Sequence, residues 1–202
     1  MNQTMSMDTA YGALKKYFGY DTFRLTQASV IERTLKQASS LVIMPTGGGK
    51  SICYQLPAVL LDGLTIVVSP LIALMQDQVS ALQANGIRAE AMNSTCSNED
   101  ELRIKQQVFS GELKLLYVSP ERAVSWGFLQ WVRELKIAQI AIDEAHCVSI
   151  WGNDFRPEYT RLTELLQLFP AVPVAALTAT ADTATQQDIR QQLQLQNCEV
   201  FV

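Results

Sequence analysis

Leu41-Val42-Ile43-Met44-Pro45-Thr46-Gly47-Gly48-Gly49-Lys50-Ser51 decides how the rest of this 202-residue chain is read. Four apolar residues run into three consecutive glycines, then Lys50 and Ser51, then an apolar helical stretch from Ile52. A strand that feeds a helix through a glycine turn presents backbone N–H groups where the helix dipole also favours negative charge. Only small residues let the backbone approach an anion that closely. Residues 46–51 therefore predict a triphosphate cradle of Thr46, Gly47, Gly48 and Gly49, with Lys50 reaching the β/γ-phosphates and the Ser51 hydroxyl ligating Mg²⁺. The general pattern G-x-x-x-x-G-K-[ST] asks for glycine where this chain has Met44. A flexible turn with an exposed lysine is the plain alternative, and the order strand, glycines, Lys-Ser, helix weighs against it.

Outward from this loop, short apolar runs alternate with segments of helical period, the pattern of βαβ units and a parallel sheet. Candidate strands are Leu41–Met44, Thr65–Ser69, Arg88–Met92, Lys114–Val118, Gln139–Ile142, Val174–Leu177 and Glu199–Val202. Several are apolar almost throughout, as strands covered by helices on both faces must be. Asn85-Gly86 closes a helix that starts near Leu71, because glycine tolerates the left-handed cap conformation. Ser97 followed by Asp100 reads as a capping box, and Gly111 ends the helix it opens. Pro57 lacks an N–H for the helical ladder and is expected to kink the helix after Lys50. No linker, repeat or composition shift divides the chain, so residues 1–202 read as one α/β domain preceded by helical material over about 8–37.

Composition narrows the class. With 48% hydrophobic and 18% charged residues, the chain is neither disordered nor of low complexity. The most apolar stretch, 58–75, is broken by Asp62, Gly63, Ser69 and Pro70, so no membrane span is expected. Residues 1–10 carry no basic patch before an apolar run, so no secretory signal is expected either. Cys53, Cys96, Cys147 and Cys198 lie far apart without C-x-x-C spacing. That spacing speaks against a zinc site or a disulfide framework and fits a cytoplasmic protein. The net charge of −4 counts against a nucleic-acid role, without excluding a local basic cleft.

Residues 139–147, Gln-Ile-Ala-Ile-Asp-Glu-Ala-His-Cys, supply an acidic pair. Asp143 ends an apolar strand, which puts its carboxylate at the edge of the sheet where phosphate loops also lie. There it is placed to hold Mg²⁺, and Glu144 beside it to act as general base on an attacking water. An acidic helix opening is the bland reading; together with the phosphate loop, the pair favours nucleotide hydrolysis. His146 is the one histidine of the chain. A lone histidine is more often structural than catalytic.

The pair Asp143-Glu144-Ala145-His146 and Thr46 through Ser51 resemble the motifs of superfamily 2 helicases. Longer segments narrow the resemblance to the RecQ family of DNA helicases: Phe18 through Gln27, Met44 through Gln55, Ser69 through Val79, Asn93-Ser94-Thr95, Ser119 through Arg122, Asp143 through Ser149, Trp151 through Tyr159, and Leu177 through Ala181. The resemblance implies a RecA-like P-loop NTPase domain, a parallel sheet with helices on both faces. It further implies an ATP- and Mg²⁺-dependent motor moving 3′-to-5′ on single-stranded and forked DNA, in repair and recombination. Gln27, with Tyr20 and Arg24, resembles the adenine-reading segment; a glutamine amide both donates and accepts, matching the adenine edge. Ser69, Gln76, Asp77 and Arg122 fall in segments that hold the DNA backbone, contacts that position a strand without reading its sequence. Trp151 and Phe155 fall in an aromatic-rich loop that couples DNA to the ATP site, with Arg156 holding phosphate or signalling to the nucleotide. Thr178 and Thr180 belong to the motif linking hydrolysis to lobe movement, and His146 joins nucleotide to DNA.

The chain departs from the family pattern at Leu25-Thr26, where Pro-Gly is usual, at Asn153, where histidine is usual, and at Ile150, usually polar. The departures bear on the adenine-loop geometry and on DNA coupling. Family members continue into a second RecA-like lobe with an arginine finger, and often into zinc-binding and winged-helix regions. The expectation is therefore a first motor lobe, monomeric, that does not unwind duplex alone. The rival readings are an RNA helicase and a non-hydrolysing nucleotide-dependent binding module, with a small-molecule kinase weaker still.

Overall fold

The computed structural model describes residues 5–202, and every expected apolar run becomes a strand. These are β1 (Ser40–Ile43), β2 (Leu64–Val68), β3 (Ala89–Met92), β4 (Leu115–Val118), β5 (Ile137–Ile142), β6 (Val174–Thr178) and β7 (Glu199–Phe201). They form one 7-stranded sheet in the order β3-β4-β2-β5-β6-β1-β7, with every neighbour pair parallel. Parallel pairing requires a crossover between strands. Here the crossovers are helices.

Ten α-helices are described: α1 (Met7–Ala13), α2 (Gln27–Leu35), α3 (Ile52–Leu60), α4 (Ile72–Ala84), α5 (Asn98–Phe109), α6 (Pro120–Ala123), α7 (Trp126–Val132), α8 (Pro157–Thr160), α9 (Thr163–Leu166) and α10 (Thr183–Gln192). Because successive strand side chains point to opposite faces, the sheet divides its own apolar residues between two cores. Val42, Val67, Tyr117, Ala141, Ala175 and Leu177 pack with Tyr54 and Ala58 of α3 and with Met75, Val79 and Leu82 of α4. Leu41, Ile66, Leu116, Ile140, Ile142 and Ala176 pack with Ile104 of α5, Val132 of α7, Leu165 of α9 and Ile189 of α10. Ala10 and Leu14 close over Ile31, Leu35 and Leu56, seating the N-terminal helices on α3.

Caps follow the sequence reading. Ser97 Oγ accepts from Asp100 N at 3.1 Å, and Gly111 stands at φ +77° beyond the end of α5. Asn85 caps α4. One expectation needs correction. The helical material over about 8–37 is not continuous: α1 runs into a π-helical turn, Leu14–Phe18, and Gly19 ends it in the left-handed conformation. Irregular chain then leads to α2, with Leu25 at φ +48°. Pro57 lies inside α3, which runs on to Leu60, although proline has no N–H to give to the helical ladder.

Candidate active site

The glycine loop starts where β1 stops. Met44 N donates to Thr178 O at 3.0 Å, extending the ladder to β6 by one bond, and Gly48 N donates to Pro45 O at 2.9 Å, closing the turn. Gly47 and Gly49 hold φ values of +82° and +81°, which glycine adopts without a Cβ penalty. At Gly48 space decides: a Cβ there would lie 2.7 Å from Met44 Cγ and 2.9 Å from Pro45 O. Met44 is buried beneath the loop, so the residue that departs from the general pattern serves as its floor. Lys50 Nζ donates to Met44 O at 3.2 Å. Ser51 stands at the N-cap of α3, its hydroxyl making no capping bond.

The predicted adenine segment reaches the same loop. Gln27 opens α2 and is buried. Its Nε2 donates to Gly49 O at 2.9 Å, and its Oε1 accepts from Arg24 N at 2.8 Å. The Arg24 guanidinium lies 5.8 Å from the Tyr20 ring centroid, within reach of a cation–π contact. The structure thus brings Tyr20, Arg24, Gln27 and Gly49 together.

Asp143 follows β5, with only β6 between it and β1 in the sheet. Its N donates to Val68 O at 2.9 Å, and its carbonyl accepts from the Tyr159 hydroxyl at 2.9 Å. Burial, and then the Glu144 carboxylate, push the Asp143 pKa up to about 6, against a bond from Glu144 N and the charge of Lys50. Glu144 takes the left-handed conformation, φ 51° and ψ 44°, which is costly for a residue with a Cβ and recurs at functional sites. The turn lifts its side chain toward His146.

From there a chain of side chains crosses to β6. Glu144 Oε2 lies 3.3 Å from His146 Nδ1, and His146 Nδ1 lies 2.8 Å from Thr178 Oγ1. Thr178 Oγ1 donates its one proton to Thr180 O at 3.2 Å. A hydroxyl so engaged, and a carboxylate, can only accept from the ring, so the ring proton belongs on Nδ1. On the other side, Cys147 Sγ lies 3.8 Å from His146 Nε2 and donates to Asp154 Oδ2 at 3.6 Å. Asp154 Oδ1 faces Arg156 Nε at 3.5 Å. Trp151, 72% exposed, and Phe155, 39% exposed, stand on this loop.

The remaining candidates lie along other elements. Ser69 follows β2, buried, its N donating to Val118 O at 3.0 Å. Gln76 and Asp77 are exposed on α4. Arg122, on α6, is ion-paired with Glu101, which also accepts from Lys105 at 3.2 Å. Sequence reading gave Cys147, Asp154, Tyr159 and Glu101 no role, because none is marked by spacing.

The DEAD/DEAH box helicase family matches residues 24–189. The chain is 51% identical, over 100% of its length and 33% of the relative, to the ATP-dependent DNA helicase RecQ of Haemophilus influenzae. It is 46% identical over 93% of its length, and 32% of the relative, to that of Bacillus subtilis. It therefore spans about a third of the length of these curated relatives. Among solved structures, the DUF1998 helicase MrfA bound to DNA superposes with a TM-score of 0.73 at 20% identity, over 99% of this chain and 28% of that one. A hypothetical ATP-dependent RNA helicase from Sulfolobus tokodaii gives 0.71 at 18% identity, over 99% and 57%. At that identity the structural likeness concerns the RecA-like fold alone.

Proposed function

Because this chain belongs to the DEAD/DEAH box helicase family, we propose that it is the nucleotide-binding lobe of a RecQ-type, ATP-dependent DNA helicase. In this reading it hydrolyses ATP, drives 3′-to-5′ movement on single-stranded and forked DNA in repair and recombination, and works in the cytoplasm against a second RecA-like lobe. Among the described residues no helix is long and apolar enough to cross a membrane.

Thr46 to Gly49 receive the phosphates through backbone N–H groups, and Lys50 leaves the Met44 carbonyl to pair with them. Ser51 and Asp143 are oxygen donors of the kind Mg²⁺ takes, and the buried, charge-starved Asp143 carboxylate gains most from a cation. When bound, the ion neutralises charge on the β- and γ-phosphates. Glu144 takes the proton of the attacking water. Gln27 already spans from the Arg24 backbone to Gly49, so an adenine that engages its amide is felt at the phosphate loop.

The observation that carries the proposal is the unbroken set of contacts from Glu144 through His146 to Thr178 and Thr180. It joins the general base to the strand beside the glycine loop, while the other ring edge faces the aromatic loop. A change in charge at Glu144 thereby reaches Arg156 and the exposed rings of Trp151 and Phe155. Stacking of bases on such rings is worth about 1–3 kcal/mol each. Arg122 meets DNA phosphate once released from Glu101, with Ser69, Gln76 and Asp77 along the same path.

The test is ATP turnover of the intact protein without nucleic acid, with single-stranded DNA and with single-stranded RNA, taking Glu144→Gln as blank. Stimulation by DNA alone is the expected result. Equal or better stimulation by RNA would make the protein an RNA helicase, and no turnover under any condition would leave a nucleotide-gated binder.

A further inference from the structure

Three donor atoms of different chemistry converge between the acidic pair and the aromatic loop. A ring nitrogen of His146, Cys147 Sγ and a carboxylate oxygen of Asp154 all lie within 4.8 Å of one another. We propose that they form a binding site for a borderline transition-metal ion of the Zn²⁺ class, with water as the fourth ligand, and that the ion clamps the aromatic loop to the turn carrying the acidic pair.

The spacing suits tetrahedral coordination. A Zn–S bond of about 2.3 Å and a Zn–N bond of about 2.0–2.1 Å, at a tetrahedral angle, set the two donors about 3.5 Å apart, and sulfur and carboxylate oxygen at about 3.6 Å. The structure has 3.8 Å for His146 Nε2 to Cys147 Sγ and 3.6 Å for Cys147 Sγ to Asp154 Oδ2. Shifts of a few tenths of an ångström therefore suffice on those two edges.

The ring is also turned the right way. A metal-binding histidine donates its other N–H to a carboxylate or oxygen acceptor, which fixes the tautomer. His146 Nδ1 does this toward Thr178 Oγ1 at 2.8 Å, with Glu144 Oε2 at 3.3 Å beside it, leaving Nε2 free on the side of Cys147. Asp154 divides its oxygens likewise: Oδ1 faces Arg156 and Oδ2 faces the thiol. Asp154 is exposed while Cys147 is buried, so the ion enters from the loop side. Binding replaces the thiol proton, which leaves to solvent, and the ion's two charges balance thiolate and carboxylate. Sulfur and imidazole donors select Zn²⁺-class ions over Mg²⁺ and Ca²⁺. No C-x-x-C search finds such a site, because its ligands are one cysteine, one histidine and one aspartate.

The test is a Co²⁺ titration of the 202-residue chain, followed optically and then displaced with Zn²⁺. The expected result is one ion per chain with a thiolate-to-cobalt charge-transfer band. The band is absent in Cys147→Ser, and affinity falls at least about tenfold in Asp154→Asn, a substitution at an exposed position that leaves the core intact. No thiolate band in the parent chain, or a band that persists in Cys147→Ser, would overturn the site. Amide exchange over residues 149–156 tests the clamp: Zn²⁺ is expected to slow it in the parent chain and not in Asp154→Asn, and unchanged exchange would overturn the clamp. Neither readout depends on ATP turnover.

Discussion

Glu144 pays a conformational cost, on the order of 1–2 kcal/mol for a left-handed residue with a Cβ, to place its carboxylate beside His146. The conformation persists because Glu144 N is held by Asp143 Oδ1 at 2.9 Å while the side chain meets the ring. Glu144→Gln keeps the shape and removes the carboxylate proposed as general base. In the intact protein it is expected to retain ATP binding while turnover falls by about 10²–10⁴-fold, read by nucleotide titration alongside steady-state kinetics. Leu25 takes a similar conformation, φ 48°, with its side chain 70% exposed. Relief of the left-handed penalty outweighs the added freedom of the unfolded chain, itself about 0.5–1 kcal/mol. Leu25→Gly should therefore stabilise by up to about 1 kcal/mol in urea unfolding. Cys53, Cys147 and Cys198 are buried and Cys96 is partly exposed; burial pushes the Cys53 thiol up to about 12. A thiol reagent at mild pH should modify Cys96 alone in the folded chain and all 4 cysteines after unfolding. Lys50, Asp143 and Glu144 were legible as candidates because residue type and order announce them. The backbone twist at Glu144, and the pairing of Arg122 with Glu101, were not, since both depend on what folding brings alongside.

At the scale of elements, β1 to β7 were readable to within a residue or two; for β1, β2, β4, β5 and β6 this is because strands buried on both faces leave near-continuous apolar runs. The polar seam beneath α3 was not. Tyr117 Oη accepts from Gln55 Nε2 at 3.0 Å and lies 3.2 Å from Tyr54 Oη. Gln55 Nε2 also donates to Gln78 Oε1 of α4 at 2.6 Å. From β5, Gln139 Nε2 donates to Tyr54 O at 2.6 Å and to Thr65 Oγ1 at 3.2 Å. These polar groups fix how α3, and with it the glycine loop, sits on the sheet. Burial pushes the Tyr54 hydroxyl well above its ordinary range and the Tyr117 hydroxyl up to about 12, so both stay protonated donors at any working pH. Tyr117→Phe removes the shared oxygen and strands the Tyr54 hydroxyl. The expected loss is about 1–3 kcal/mol, measured by chemical denaturation. Sequence pattern could place Gln139 in a strand; it could not show which carbonyl Gln139 serves.

For the molecule as a whole, the proposed division of labour with a second lobe sets the expected activity. An arginine supplied across an interface contributes about 10³–10⁵ to phosphoryl-transfer rates in related NTPases. The chain alone is accordingly expected to bind nucleotide, turn it over slowly and leave a duplex substrate intact in a strand-displacement assay. With a net charge of −4, the proposed grip on DNA would rest on local cations and is expected to weaken steeply as salt rises.

The position of β1 in the sheet bears on biosynthesis. Its partners are β6 and β7, and Val174 N reaches back to Ser39 Oγ across 135 positions of sequence. The ribosome makes the strand that carries the glycine loop first among the strands, yet its neighbours emerge last. At about 5–20 residues per second, the segment waits about 7–30 seconds for the partners that align it, while β2 to β5 can already pair among themselves. Contacts this distant in sequence also slow refolding. The nucleotide cradle is therefore the last part of the sheet to be completed, and ATP has nothing to hold it until the rest is built.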